Sequence, residues 1–495
     1  MTYDFVVIGA GVSGLTSALL LAKNGFHVAV VEKSDQICPL LMGFSRKGVH
    51  FDTGFHYTGG LGSGEPLDII FRYLGISDNL SVFSFREQGF DIFRSIKDDF
   101  EFHFPTGYEL IREKLSAAFP DERTAIDSYL QQVRSICSSM PYLNLDVDFN
   151  GTSPLLGFDD TSLQDKLNAL TGNKILKALL SMHCLLYGVA PDEASFTQHA
   201  CIVGNYYQSA SGIRGGGLSL AKSFEARLKD LDIDVYCGSK VNSISLSTGG
   251  AVSGVKLDNG TELSCSGCIS TVHPATMLDM LPGDIFRPAY RNRIRSLQET
   301  VSAYMIYSVS DSAIPFLAGS NLFVLPDTDS LNCLGTKALE DNLLYLTAAY
   351  KGTGSDPMGF IGISPALFEQ TASWQDTVSG KRPDDYLAFK EDKLSRIKNR
   401  IDTFCPELKG KMKYSEGSTP LTVRDFNNTP LGGLYGIKHM AGQHDPFPFT
   451  RVKGLFLAGQ AIVSPGIMGA MLSAFIACGN ILGHDRLRKG LKACS

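Results

Sequence analysis

The stretch YDFVVIGAGVSGLTSALLLAKNGFHVAVVEK, near the start of the chain, constrains the fold more than any other segment. The apolar run Asp4 to Ile8 predicts a short strand buried on both faces. Gly9, Gly11 and Gly14 follow in G-x-G-x-x-G spacing, Leu15 to Asn24 continues at helical period, and Gly25 is a fitting end cap. His27 to Val31 reads as a second strand, closed by Glu32. Each glycine has its own physical task. Gly9 permits the tight turn, Gly11 lets backbone approach a pyrophosphate, and Gly14 lets helix and strand pack closely. Phosphate charge then rests on the free N–H groups at the helix start, and Glu32 stands where it can accept hydrogen bonds from a ribose. Strand, helix, second strand and acid in register predict a dinucleotide-binding unit.

The other end of the chain narrows the choice of dinucleotide. VKGLFLAGQAIVSPGIMGAMLSAFIACGNILG holds a strand, Leu455 to Ala458, a Gly459-Gln460 turn, and Pro465-Gly466 opening a helix with Gly469. Proline suits a helix start because its missing N–H would be unpaired there. Gly466, Gly469 and Ala470 are small enough for a flat ring to approach the first turn, whose free N–H groups would stabilise negative charge on a reduced isoalloxazine. A packed helix with incidental glycines is the plainer alternative.

With these two ends in view, the chain resembles the FAD-dependent superfamily of amine oxidases and phytoene desaturases. FDTGFHYTGG, LLYGVAP, GSTPLTVRDFNNTPLGGLYGI and AGQAIVSPGIMGAMLSAF are most similar to its phytoene dehydrogenase-like branch, which includes carotenoid isomerases and retinol saturases. The resemblance implies FAD held by Gly9, Gly11, Gly14 and Glu32, with Val241 meeting the adenine through its backbone and Gly459, Gln460, Gly466 and Gly469 at the flavin end. It also implies a long apolar isoprenoid substrate and action as a saturase, desaturase or isomerase. Two positions depart from the pattern. Cys38-Pro39 stands where relatives carry a glycine pair, so contacts between Cys38 and Gly43 do not carry over, and Gln460 stands where an acid is common.

At 495 residues, two domains are the default expectation. The expected class is α/β: a Rossmann-like FAD-binding domain, parallel sheet plus β-meander, with a second α+β substrate domain. Residues 1–65, 209–275 and 430–495 would form the first; residues 66–208 and 276–429 the second. The meander is predicted as Val241–Leu246, Val252–Leu257 and Glu262–Cys265, after a helix over Leu218–Leu231. GIRGGG at 212–217 lacks the spacing of a second dinucleotide site, and a loop cap is an equal reading. Without a second fingerprint, the electron partner would be NAD(P) visiting from the substrate side, a quinone, oxygen or another protein. Thirty phenylalanines against one tryptophan suit an apolar pocket, and core packing explains them equally.

A net charge of −6 leaves no electrostatic footprint for nucleic acid. The basic tail RLRKGLK reads as a solvated helix end. Eleven scattered cysteines show no disulfide framework and suggest reducing cytoplasm. Cys265 and Cys268 lack a second pair to complete a zinc site, and no metal is expected. The uncharged stretches Phe5–Ala22 and Gly454–Gly483 are broken by glycines and a proline, so neither is expected to span a membrane. Peripheral membrane contact stays open, as does oligomeric state.

FDTGFHYTGGL at 51–61 reads as a half-buried strand. Period two would place Phe51, Thr53, Phe55 and Tyr57 on a core face and His50, Asp52, Gly54 and His56 on the other. His56 is then expected to face the cofactor, with Tyr57 packed behind it, and the two form the candidate catalytic pair. Hydride exchange with a polyene carbon must be balanced by a proton on the adjacent carbon, which a histidine can supply or orient. Alternatively, His56 only hydrogen-bonds cofactor or backbone. His199, Tyr206 and Tyr435 are further candidates, each equally fit for a structural role. A prenyl-lipid carrier without redox activity is the rival class. An amine oxidase is a third reading, although no paired aromatic cage is recognisable.

Overall fold

The computed structural model describes residues 1–149, 161–336, 338–352 and 354–495. Its first sheet has seven strands in the order Asp234–Tyr236, Val28–Val31, Thr2–Ile8, Glu262–Ser270, Val252–Leu257, Val241–Leu246, with Leu455–Leu457 also against Glu262–Ser270. Thr2–Ile8 runs parallel to both neighbours, as a strand buried on two faces should. Glu262–Ser270 divides one of its edges. Leu263 and Ser264 pair antiparallel with the meander, while Cys268 to Ser270 pair parallel with Leu455–Leu457. It therefore extends five residues past the predicted end at Cys265, because pairing on both sides outweighs the weak strand propensity of SGCIS. Cys265 and Cys268 lie within it opposite Tyr3 and Val6, and no metal-binding cluster occurs among the described residues.

Helices Val12–Lys23 and Gly466–Leu482 pack on this sheet and against each other. Both are apolar nearly all round, the pattern of a buried helix. Leu15, Leu19, Leu20 and Leu21 are wholly buried, each contributing roughly 1.5–3 kcal/mol. The two ends of the chain thus share one core.

The second sheet has nine strands, in the order Tyr414–Ser418, Ser302–Val309, Pro357–Ala366, Leu344–Tyr350, Asn321–Leu325, Asp91–Ser95, Phe100–Phe104, with Val49–Phe51 and Phe44–Arg46 attached beside Leu344–Tyr350. Strand alternation gives it two faces. Ile92, Leu322, Val324, Leu344, Leu346 and Ile306 pack under helix Asp384–Phe404 through Leu394, Ile397 and Ile401. The opposite face presents Phe93, Phe323, Tyr345, Met305, Tyr307, Ile361 and Ile363 to a helical layer that includes Arg123–Ser139 and Phe196–Gln208.

The segment 51–61 is not one strand. Val49–Phe51 and Thr58–Gly59 flank an irregular bend, and Thr53 is exposed rather than core. Gly59 explains the break: a Cβ there would lie 2.4 Å from the backbone of Asn205, so the chain turns to run directly under helix Phe196–Gln208. Helix Pro66–Leu74 packs into the first core, whereas Phe44–Phe51 joins the second sheet, so the chain crosses early between the two. The basic tail is a helix, His484–Lys492, that exposes Arg486, Lys489 and Lys492 as expected and buries Leu487, Arg488 and Leu491. Arg488 is buried and donates to the carbonyls of Pro141 and Leu145. No helix among the described residues is long and apolar enough to cross a membrane.

Candidate active site

The glycine turn after the first strand takes a conformation that only its residue types allow comfortably. Gly9 has φ +101°, and a Cβ there would sit 2.5 Å from Thr271 Oγ1. A Cβ on Gly14 would lie 1.9 Å from the Gly9 carbonyl oxygen, so the helix can close on the turn only at glycine. Gly11 is different: a Cβ there would meet nothing within 4 Å. Its open side faces the helix start, where Ser13 Oγ is buried with no partner. Glu32 closes the second strand, its carboxylate accepting from the N–H of Ala10 and of Ser34, both at 2.8 Å. Its carbonyl accepts from Ser239, two residues before Val241, which opens the meander and is buried.

The C-terminal turn repeats the arrangement. Gly459 has φ +116° and its N–H donates to Ser473 Oγ at 2.9 Å. A Cβ on Gly459 would meet the Thr271 carbonyl oxygen at 3.3 Å, so Thr271 lies between the Gly9 and Gly459 turns. Gly466 has φ +78° and, like Gly11, open space where a Cβ would project. Gly469 does not clear room for a ring as the sequence suggested. A Cβ there would strike the Ser464 carbonyl at 2.2 Å, so Gly469 is the counterpart of Gly14, a packing glycine. Gln460 is held through its backbone: His439 Nε2 donates to the Gln460 carbonyl and His439 Nδ1 meets Asp445, both at 2.6 Å. Burial opposes charge on His439, but Asp445 and these hydrogen bonds outweigh it and raise its pKa.

These features fit FAD. The first helix start, with its open Gly11 face and the orphaned Ser13 hydroxyl, suits a pyrophosphate, the open Gly466 face an isoalloxazine, and the amide-held Glu32 carboxylate a ribose. An open cleft of about 560 Å³ is lined by Lys33, the residue after Glu32, with Thr276, Val378, Arg424 and Asn428. The departure at Cys38 is absorbed by the backbone. Cys38 keeps φ +47°, a glycine conformation, and its N–H donates to the Ala10 carbonyl at 2.8 Å. GIRGGG resolves as a cap: Asp52 accepts from the N–H of Gly217 at 2.8 Å where helix Gly216–Asp230 begins.

The candidate pair parts company in the structure. Tyr57 is buried in the second core and donates to Asp91 at 2.8 Å. His56 is half-buried, and desolvation lowers its pKa to about 4. Tyr345 faces it from the second sheet, with ring centroids 6.2 Å apart. Tyr206 packs tilted against Tyr57, ring centroids 5.0 Å apart, and is half-buried, as is Tyr435, which packs beside Gly188. His199 lies elsewhere. It is fully buried between Tyr129 and Tyr187, each hydroxyl 2.8 Å from a ring nitrogen, which is a structural arrangement.

Several participants escaped sequence reasoning: Thr271, His439 with Asp445, Tyr345, and the cluster of Asp91, His183 and Asn321. Asp91 and Asn321 each open a strand with an isolated polar residue, the one signal that could have marked them.

Comparison with known proteins agrees with this geometry. Residues 12–482 match the flavin containing amine oxidoreductase family. The all-trans-retinol 13,14-reductase of Danio rerio is 26% identical, over 98% of this chain and 86% of its own. The chloroplastic prolycopene isomerase of Arabidopsis thaliana is 25% identical, over 96% of this chain and 82% of its own. Among solved structures, an oxidoreductase from Methanosarcina mazei superposes with a TM-score of 0.66 at 15% identity, covering 96% of this chain and 99% of its own, a likeness of fold. The chain therefore belongs to the flavin containing amine oxidoreductase family, a family of FAD-dependent oxidoreductases.

Proposed function

We propose that this oxidoreductase acts on carbon–carbon bonds of a long apolar isoprenoid, retinoid- or carotenoid-like, as a saturase, desaturase or isomerase. The observation that carries the reading is the wall around His56. Tyr345 faces this imidazole, Tyr206 and Tyr435 lie close to Tyr345, and the sheet face that carries Tyr345 is aliphatic and aromatic. Such a surface recognises a hydrocarbon by burial rather than by hydrogen bonds. The whole-length likeness to a retinol reductase and a prolycopene isomerase supports it.

Gly9, Gly11, Ser13 and Gly14 would hold the pyrophosphate, Glu32 the ribose, Val241 the adenine, and the turn at Gly459-Gln460 with Gly466 the isoalloxazine. Bound FAD supplies the hydride acceptor or donor. His56, neutral near pH 7 because it is buried, is placed to take or relay the balancing proton at the substrate carbon. Tyr57 sets the backbone beneath it by anchoring to Asp91. The aromatic wall excludes water, which would otherwise quench reactive intermediates. NAD(P) or a quinone would serve as the transient electron partner. The proposed compartment is the reducing cytoplasm, with peripheral membrane contact to collect the substrate.

The test is anaerobic incubation of photoreduced protein with a panel of retinoids and carotenoids, followed by mass analysis. A product that gains two hydrogens identifies a saturase; an isobaric product identifies an isomerase. Flavin bleaching by a simple amine would favour an amine oxidase instead, and prenyl-lipid binding without FAD a carrier.

A further inference from the structure

Asp91 is fully buried in the second core, as are His183 and Asn321. Its carboxylate accepts from Tyr57 at 2.8 Å, from His183 Nε2 at 2.9 Å and from Asn321 Nδ2 at 2.8 Å. Thr347 fixes Asn321 from the other side at 2.7 Å. No lysine or arginine pairs with Asp91 among the described residues. His183 Nδ1 is buried without a partner, so the ring's hydrogen bonding is directed at Asp91 through Nε2. Asp91 is the carboxylate of this cluster, with three donors around it. Burying a carboxylate is costly even when donors surround it, and apolar residues would fill the same volume without that cost.

The charge lies directly behind the site wall. Tyr57, bonded to Asp91, meets Tyr206 at 5.0 Å between ring centroids, and His183 stacks over Tyr206 at 6.4 Å. Burial, with Asp91 adding to it, pushes the Tyr345 hydroxyl well up, so the carboxylate's field reaches the ring opposite His56. We propose that Asp91, held by Tyr57, His183 and Asn321 behind this aromatic wall, stabilises positive charge developing on the substrate carbon chain.

The chemistry, which rests on the isoprenoid reading above, creates such a charge in either direction. Loss of a hydride from a substrate C–H to oxidised flavin leaves an allylic cation, and loss of a proton from the adjacent carbon then forms the double bond. In reverse, a proton added to the polyene leaves the same cation, and hydride from reduced flavin completes a C–H bond. A fixed carboxylate and the faces of tyrosine rings both favour the cation over the neutral hydrocarbon.

The test is equilibrium binding to the FAD-loaded protein of isoprenoid-length hydrocarbon chains that carry an in-chain dimethylammonium, position by position, each beside the neutral isostere with a dimethyl-substituted carbon at the same place. Wild-type protein should bind the ammonium member at least tenfold more tightly at one position. Asp91→Asn should abolish that preference while leaving the flavin spectrum and neutral binding unchanged. Equal binding of every pair by wild type, or a preference that survives Asp91→Asn, would overturn the proposal and leave the isoprenoid reading intact. If wild type binds neither member, the isoprenoid reading fails and this proposal with it. Should Asp91→Asn not fold, Tyr57→Phe decides, because it removes a donor but keeps the charge: the preference should hold or rise, and its fall would overturn the assignment.

Discussion

His56 and Tyr345 face each other across the site wall, ring centroids 6.2 Å apart and planes inclined by 54°. Burial of the imidazole lowers its pKa to about 4. It is therefore neutral across the range in which most flavoenzymes are assayed. His56→Ala is expected to keep bound FAD and to lose roughly 10²- to 10⁴-fold in turnover, the usual worth of a positioned acid or base. The turnover profile between pH 5 and 8 should carry no inflection from His56. An inflection near pH 6.5 that disappears in His56→Gln would show that water reaches the ring.

Gly11 and Gly14 should separate cofactor binding from folding. A Cβ at Gly11 projects into open space, and its backbone is one that any residue adopts. Gly11→Ala should fold with stability within about 0.5 kcal/mol of wild type, yet bind FAD at least tenfold more weakly, because the methyl group occupies the pyrophosphate approach. Gly14→Ala forces contact with the Gly9 carbonyl and should cost roughly 1–3 kcal/mol through overpacking. Denaturant unfolding and FAD titration of the two variants make the comparison.

What the sequence reveals follows from how local the governing physics is. The first turn, its helix, Glu32 and the closing helix were legible because period, glycine spacing and a terminal acid all act within thirty residues. The meander strands at Val241–Leu246 and Val252–Leu257 were legible from turn residues between them. The far end of Glu262–Ser270 was not, because its pairing with Thr2–Ile8 and Leu455–Leu457 comes from distant segments. For the same reason Gly469 was misread: its spacing resembles that of a ring-facing glycine, and only the path of Ser464 shows that the space is taken. Asp91 and His183 sit 92 positions apart and meet only through the sheet. Nothing local to either residue announces the other.

Cys38 holds φ +47°, a conformation that costs a side chain about 1–2 kcal/mol. Cys38→Gly should relieve that strain while losing a buried thiol and adding chain entropy in the unfolded state, so stability should stay within about 1 kcal/mol of wild type. Cys38→Val places a β-branched residue in the same conformation and should destabilise by at least about 2 kcal/mol. If valine proved harmless in thermal and urea unfolding, the turn would not have the conformation described here.

His199 makes the fold acid-sensitive. Fully buried between Tyr129 and Tyr187, it is pushed down to about 3, chiefly by burial. The folded protein therefore binds a proton at this ring less readily than the unfolded chain, whose histidine titrates near 6.5. Its contribution is fully present above about pH 6.5 and is lost as the pH falls towards the folded value, on the order of 5 kcal/mol in total. Around pH 5 the unfolded state holds nearly one more proton at this site than the folded state, a slope of about 1.4 kcal/mol per pH unit. His199→Gln keeps hydrogen-bonding capacity for the two tyrosines but cannot titrate. Relative to wild type it should lose stability at pH 7, through poorer geometry, and show a shallower decline between pH 6 and 4.5. Urea unfolding of both proteins across that range measures the difference, and parallel curves would mean that His199 is not shielded from water in the folded state.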